Sequence, residues 1–467
     1  MIVEEEPLTA VSSCKRVTFA IILLSAPLLL LSSARGQSGP IAPEGTIDIG
    51  NRLELFVDHH LIDSVAGVEL LMHHPHLMKS AHPPSTGHYA TILKDGNLFR
   101  MYNRGGVSGY DGDYLERTEY FESNDGIQWR RPNLGLFEVD GSLDNNVVLA
   151  HDPPFSHNFS PFIDTRPGVA GDQRFKALAG TEKSGLFAFV SADGVNWRKL
   201  QTTAVFTDGL FDSQNVSFWS DHEQQYICYF RTWTGDGYTG LRTISRTTSR
   251  DFLNWSPPVA LNPNAEGEHL YTSGTHPYFR APHIYIALAT RFQPDRGAAT
   301  DILLMTSRGG DRFDRTFMEA FIRPGLDSLH WANRANYAAV GVIPTGEGEM
   351  SIYVRGRRYA LRTDGFASVH AGYDGGSMTT RTLLFDGNSL VLNVATSASG
   401  QVLVEILDAD GATIDGYSLG DADPIVKDSI ATLVSWNGST EIGQFSGVPI
   451  RLRFHMQDAD LYALRFR

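Results

Sequence analysis

Ser123-Asn-Asp125-Gly126-Ile-Gln-Trp129 is followed by Ser191-Ala-Asp193-Gly194-Val-Asn-Trp197 and Ser249-Arg-Asp251-Phe252-Leu-Asn-Trp255. A looser fourth copy reads Ser307-Arg-Gly-Gly-Asp311-Arg-Phe313. The serines are 68, 58 and 58 residues apart. Such a period, built from short β-like runs, marks a propeller or a related array. Asp-Gly suits a tight turn between strands, because Gly accepts positive φ and Asp accepts local N–H bonds. The aromatic residue three places later is then placed to pack between neighbouring sheets. The motif is structural, and it indexes the blades.

Each unit repeats an entry strand, a hairpin, a second strand and an outer strand that closes on the motif. Second strands read Phe99–Arg104, Arg174–Ala179, Tyr226–Arg231 and His283–Arg291. Glu349–Val354 and Tyr359–Arg362 suggest a fifth unit with no Asp/Trp ending. The alternating run Leu53–Val57 is then available to pair with it and close the ring, which hides two sheet edges. From residue 366 the strands become compact and alternating, as in Val402–Leu407 and Ile450–Phe454, which implies a β-sandwich. The expected class is therefore all-β: a five-bladed β-propeller over 50–365, preceded by a linker at 37–49, and a β-sandwich over 366–467.

Composition agrees. The 467 residues are 42% hydrophobic and 20% charged, with 45 glycines, which suits turn-rich β structure. A net charge of −14 argues against nucleic acid as a partner. Lys15-Arg16, the apolar Val17 to Leu31 and the small residues up to Gly36 have the layout of a signal peptide over 1–36. That layout predicts a secreted or periplasmic protein with no membrane span after cleavage, the alternative being an uncleaved anchor. Cys14 and Cys228 are the only cysteines, and Cys228 lies in an apolar run. No disulfide is expected of the mature chain.

A five-bladed propeller with S-x-D-x-x-x-W blade endings and a C-terminal sandwich resembles the exported glycosidases of glycoside hydrolase family 32 (invertase, levanase, inulinase). The blade ending is also similar to the sialidase Asp box, with Asp and Gly one residue closer. The resemblance implies carbohydrate as substrate and a pair of carboxylates as catalysts. The chain departs from the family where its nucleophile lies: the matching segment, His82-Pro-Pro-Ser-Thr-Gly-His-Tyr-Ala90, holds no carboxylate. The family's Arg-Asp-Pro and Glu-Cys signatures are absent too.

In a propeller, polar residues at the ends of inner strands converge on one mouth. Asp212 and Asn215 precede the strand at Val216, Glu266, Glu268, His269 and Tyr271 precede the fourth blade, and Glu349 stands at the fifth. His157, Asn158 and Asp164 flank the second blade's entry. Asp212 with Glu349 is the preferred acid/base pair, since glycoside hydrolysis uses two carboxyl groups. Each carboxylate alone reads equally as a turn cap. Arg104, Arg231 and Arg291 each end a second strand, and three guanidiniums at one mouth suit the carboxylate or sulfate of an acidic sugar. Asn158, Asn215, His269 and Tyr271 complete the expected substrate contacts. The histidines at 59, 60, 73, 74, 76 and 82 have irregular spacing and imply no metal site, and nothing calls for a cofactor. Three functions are consistent with these residues: a glycoside hydrolase, a carbohydrate-binding protein without catalysis, and an interaction propeller.

Overall fold

The computed structural model describes residues 43–79, 84, 87, 89–106 and 112–467. The signal-peptide expectation and His82 lie outside them. Apart from four short 3-10 turns, the regular structure of the described residues is strand.

Five sheets form the propeller. Blade 1 comprises Thr91–Asp95, Leu98–Gly105, Arg117–Ser123 and Val147–Ala150, and blade 2 comprises Ser160–Ile163, Phe175–Ala179, Phe187–Ser191 and Arg198–Lys199. Blade 3 comprises Val216–Ser220, Gln225–Trp233, Arg242–Ser249 and Val259–Ala260. In blade 4 the long strand Ala281–Gln293 carries both His269–Thr272 and Thr275–Tyr278 on one side and Ala299–Ser307 on the other. Blade 5 starts at Ile343–Pro344 and continues through Glu349–Val354 and Arg357–Arg362. Its outermost strand comes from far earlier in the chain: His76–Leu77 pairs with Ala360 and Tyr359. The ring is therefore closed by an N-terminal strand, but by His76–Leu77 and not by Leu53–Val57. At the axis, blades 1 and 5 meet through a parallel bridge between Thr91 and Val340.

Leu53–Val57 has another partner. Glu54 and Leu55 pair with Leu464 and Ala463 of the last strand, Ile450–Phe466. Ile47–Gly50, Ile62–Ala66 and Val68–Met72 join the same ten-stranded sheet. Residues 47–72, expected in the linker and the propeller, thus hydrogen-bond with strands that follow the propeller. Alternation sets this sheet's core: Val402, Val404 and Ile406 face Leu452, Phe454 and Met456 in a buried cluster that includes Phe56 and Trp436. Glu405, Arg453 and His455 occupy the other face, where Glu405 bonds both of the others. A buried ionic seam joins this sheet's Glu54 to blade 4. Arg308 bonds Glu54 and Asp58 at 2.6 and 2.9 Å, and His283 bonds Glu54 at 2.9 Å. Burial would raise the Glu54 pKa, but His283 and Arg308 hold it down at about 2.

The repeated motif does the same work three times. The Ser123, Ser191 and Ser249 hydroxyls donate to the Asp two residues on, at 2.8, 3.0 and 3.0 Å, and accept the next backbone N–H at 2.9 Å. Asp125, Asp193 and Asp251 each take two further backbone N–H groups at 2.7–2.9 Å. The turn residue has φ of 72° at Gly126, 77° at Gly194 and 69° at Phe252. The tryptophans then reach their neighbours as expected: Trp129 lies edge-on to Tyr353 of blade 5 and Trp197 to Tyr102 of blade 1. In the fourth copy Ser307 donates to the Arg312 carbonyl at 2.7 Å instead, while Asp311 accepts from Arg246.

Candidate functional site

The parallel bridge between Thr91 and Val340 gives blades 1 and 5 the same sense at the axis, as propeller geometry requires of every inner strand. Residues just before those strands therefore share one end. They include Tyr89, His157, Asp212 and Tyr271, with Tyr337 on the segment leading into Val340. Tyr337 stands edge-on to Tyr89 and Tyr271, with ring centroids 6.2 and 5.5 Å away. Burial raises the pKa of Tyr89 and Tyr337, so both remain neutral phenols. Gln214 forms the floor. It spans three blades, from its own to the Ala90 carbonyl at 3.2 Å and Ser160 Oγ at 3.4 Å. A cavity of about 340 Å³ lies along the inner strands beneath, lined by residues such as Ile92, Phe162, Phe218, Pro277 and Val342.

Guanidiniums interleave with these rings. Arg104 lies 5.0 Å from the Tyr89 ring and donates to the His157 carbonyl at 3.3 Å. Arg231, 3% exposed, pairs with Asp212 and lies 5.1 Å from the Tyr271 ring. Burial opposes its charge, yet Asp212 holds its pKa above the usual arginine value. Arg242 sits in a cage of Trp233, Phe292 and Tyr271, with centroids 4.3, 4.9 and 5.1 Å away. Its Nη1 is 3.4 Å from His269 Nδ1, and its own backbone N–H donates to that nitrogen at 3.1 Å. Burial and the nearby Arg231 both lower the Arg242 pKa. Arg334 donates to the Tyr271 hydroxyl at 3.4 Å.

The carboxylates are fewer. Asp212 answers Arg231. Glu116, buried, lies 3.1 and 3.2 Å from His157 Nδ1, and His157 Nε2 donates to the Asp212 carbonyl at 3.2 Å. Among the described residues no ion pair reaches Arg242. The N–H groups at Arg231 Nε, Arg242 Nε and Trp233 Nε1 are buried and unpartnered, as is Asn215 Oδ1. Buried donors without acceptors cost about 1–3 kcal/mol each, and a bound anion removes that cost.

Of the residues expected at the mouth, Asp212, Arg104, Arg231, His269 and Tyr271 are there. Asn215 bonds the Phe211 carbonyl at 3.1 Å. Asn158 is saturated by backbone: it donates to Gly180, Phe211 and Ser213 carbonyls and accepts from Gly180 N–H. It therefore stabilises a loop and has no donor left for a ligand. Arg291 is captured by Asp301, its direct cross-strand partner, at 2.7 and 2.9 Å. Glu268 goes to Arg315, at 2.8 Å, and Asp164 to Lys176.

Glu349 is not brought to Asp212. It follows the inner strand Ile343–Pro344, across a turn in which Thr345 N–H donates to the Glu349 carbonyl at 3.0 Å. It therefore sits at the opposite end of the propeller, the end where Gly126 of the blade 1 turn abuts Thr345. There it pairs with Arg358 and accepts from Thr345 Oγ1 at 2.9 Å. The sequence reading did not select Arg242, Arg334, Tyr337, Tyr89 or Glu116. Arg242 stands directly opposite Trp233 in the register of blade 3, a pairing that the sequence alone does not display.

No family profile and no curated protein matches the chain. Among solved structures it is similar to an N-acetylgalactosamine deacetylase from F. plautii in complex with blood group B trisaccharide, at 13% identity and TM-score 0.42, covering 86% of this chain and 96% of that one. It is also similar to a glycoside hydrolase family 32 β-fructofuranosidase from Bombyx mori, at 12% identity and TM-score 0.36, covering 84% and 94%. A fructofuranosidase from Schwanniomyces occidentalis complexed with fructosylnystose gives 10% and 0.38, covering 86% and 98%. Family 32 enzymes, which the sequence resembles, are thus among the similar structures. At these scores none lends a residue role to this chain.

Proposed function

We propose that this chain is an exported, carbohydrate-active, glycosidase-like propeller whose mouth receives a saccharide bearing a carboxylate or sulfate. The observation that carries the reading is Arg242, a half-buried guanidinium in an aromatic cage with no ion-pair partner among the described residues and an unpartnered Nε. A buried cation is stable when an anion meets it, and the planar guanidinium fork matches a carboxylate or sulfate edge. Tyr89, Tyr271 and Tyr337 add phenols and ring edges, which suit sugar hydroxyls and C–H faces. The apolar Val17 to Leu31 supports the export part of the reading.

Hydrolysis at this mouth is favoured by one further observation: the Glu116 carboxylate bonds His157, whose other ring nitrogen meets the Asp212 backbone carbonyl, so the Asp212 carboxylate, paired with Arg231, and that of Glu116 belong to the same end. Glu116 thereby replaces Glu349 as the second carboxylate. Calorimetric titration with galacturonate oligomers and their neutral galactose counterparts tests the binding reading. Release of reducing ends by wild type, and its loss in Glu116→Gln at unchanged binding, tests the hydrolytic one. Equal affinity for charged and neutral sugars would end the first reading, and full turnover by Glu116→Gln the second.

A further inference from the structure

Tyr114 is 58% exposed, yet it is not loose. Its ring packs against His151 in a tilted pair, with centroids 4.8 Å apart and planes 31° apart. His151 is itself fixed, donating from Nε2 to the Glu138 carbonyl at 2.8 Å. The turn that presents Tyr114 is held by Asp113, which accepts the Leu115 N–H at 2.8 Å and, through its carbonyl, the Glu116 N–H at 3.0 Å. Beside the ring lies a hollow of about 250 Å³, rimmed by Arg117 and Asp140, which face each other at 3.7 Å.

Glu116 forms the wall between this hollow and the mouth. It lines the hollow, and its carboxylate bonds His157, whose ring stands edge-on to Tyr89 at 6.1 Å. An exposed aromatic face with a rigid backing and a charged rim matches the two sides of a sugar ring, the C–H face and the hydroxyl edge. The hollow is smaller than a typical drug-sized site, which suits one sugar unit better than a peptide element.

We propose that Tyr114 and His151 form an outer stacking subsite for the next unit of the saccharide held at the mouth, so that the ligand is an oligosaccharide and not a single sugar. This rests on the reading of the mouth given above. The test is calorimetric titration of wild type, Tyr114→Ala and Tyr114→Phe with galacturonic acid and its hexamer, and with the neutral galactose hexamer. In wild type the acidic hexamer binds more tightly than the monomer. Tyr114→Ala lowers that ratio roughly tenfold and Tyr114→Phe restores it, as expected for a stacking contact of this kind. An unchanged ratio in Tyr114→Ala overturns the subsite while leaving the mouth reading intact. Tyr114-dependent binding of the neutral hexamer, with no preference for the acidic one, leaves the subsite and overturns the mouth reading. No binding of any of the three ligands overturns both.

Discussion

Asp212 and Arg231 form a buried ion pair at the entrance to the third blade, and Arg242, caged on the same Tyr271 ring, has no such partner. The mouth therefore carries positive charge that the described part of the chain does not neutralise. Asp212 favours the charge of Arg242 through space but forms its ion pair with Arg231 alone.

Removing Asp212 leaves Arg231 buried without a counter-ion. Asp212→Asn is expected to cost about 3–5 kcal/mol, and the double variant Asp212→Asn, Arg231→Met to recover much of it. Urea denaturation of the three proteins measures both effects. Loss of activity in the single variant is interpretable only beside this measurement.

Glu349 is expected to play no part in ligand binding. Glu349→Gln changes saccharide affinity by less than about twofold in titration calorimetry, because the residue lies at the far end of the propeller. Its stability cost is expected to be about 1–3 kcal/mol, because Glu349 is 37% exposed but the buried Arg358 is left with only the hydroxyls of Ser351 and Thr345.

How far the sequence revealed this arrangement depends on the signal each element carries. The Ser-x-Asp turns carry their own chemistry, so three blade endings are readable, with the packing of Trp129 and Trp197 on neighbouring blades. Leu53–Val57 alternates like a strand, but alternation does not name a partner, and Leu464 lies at the other end of the chain. His76–Leu77 is too short to show a period. Glu349 was misplaced for a similar reason. The inner strand of its blade, Ile343–Pro344, is two residues long, so the next strand looked like the entry and the end of the propeller was inverted. Arg291 repeats the position of Arg104 and Arg231, but only the register shows that Asp301 stands opposite to capture it.

Phe252 occupies the turn position that Gly126 and Gly194 fill in the other copies, at φ 69°. Phe252→Gly relieves roughly 1–2 kcal/mol of left-handed strain. It also removes a buried ring packed on Phe162, Tyr226 and Trp255, worth about 3–5 kcal/mol. Packing is the larger effect, so the variant is expected to be less stable by about 1–4 kcal/mol in guanidinium unfolding. A gain in stability would show that strain dominates.

Acid should loosen the blade endings. Burial raises the pKa of Asp193 and Asp251, but the backbone N–H groups, the Asn196 and Asn254 side chains and the Ser hydroxyls together outweigh it, holding both at about 2 against an ordinary 3.8. A carboxylate with a depressed folded-state pKa stabilises above its unfolded value and loses that contribution as pH falls through the folded one. The stability gap between wild type and Asp193→Asn is therefore expected to be full at about pH 5 and to close between about pH 4 and 2. Urea midpoints across that range measure it, and a gap independent of pH would contradict the assignment.

The most direct measurement is the affinity of wild type and Arg242→Gln for a galacturonate oligomer and for its neutral galactose counterpart. Wild type should prefer the acidic ligand, and Arg242→Gln should lose at least about tenfold on the acidic ligand, consistent with loss of a charge-assisted bond, while the neutral one is little changed. If wild type shows no preference for the acidic ligand, or Arg242→Gln keeps that preference intact, the mouth is not an anion-reading saccharide site.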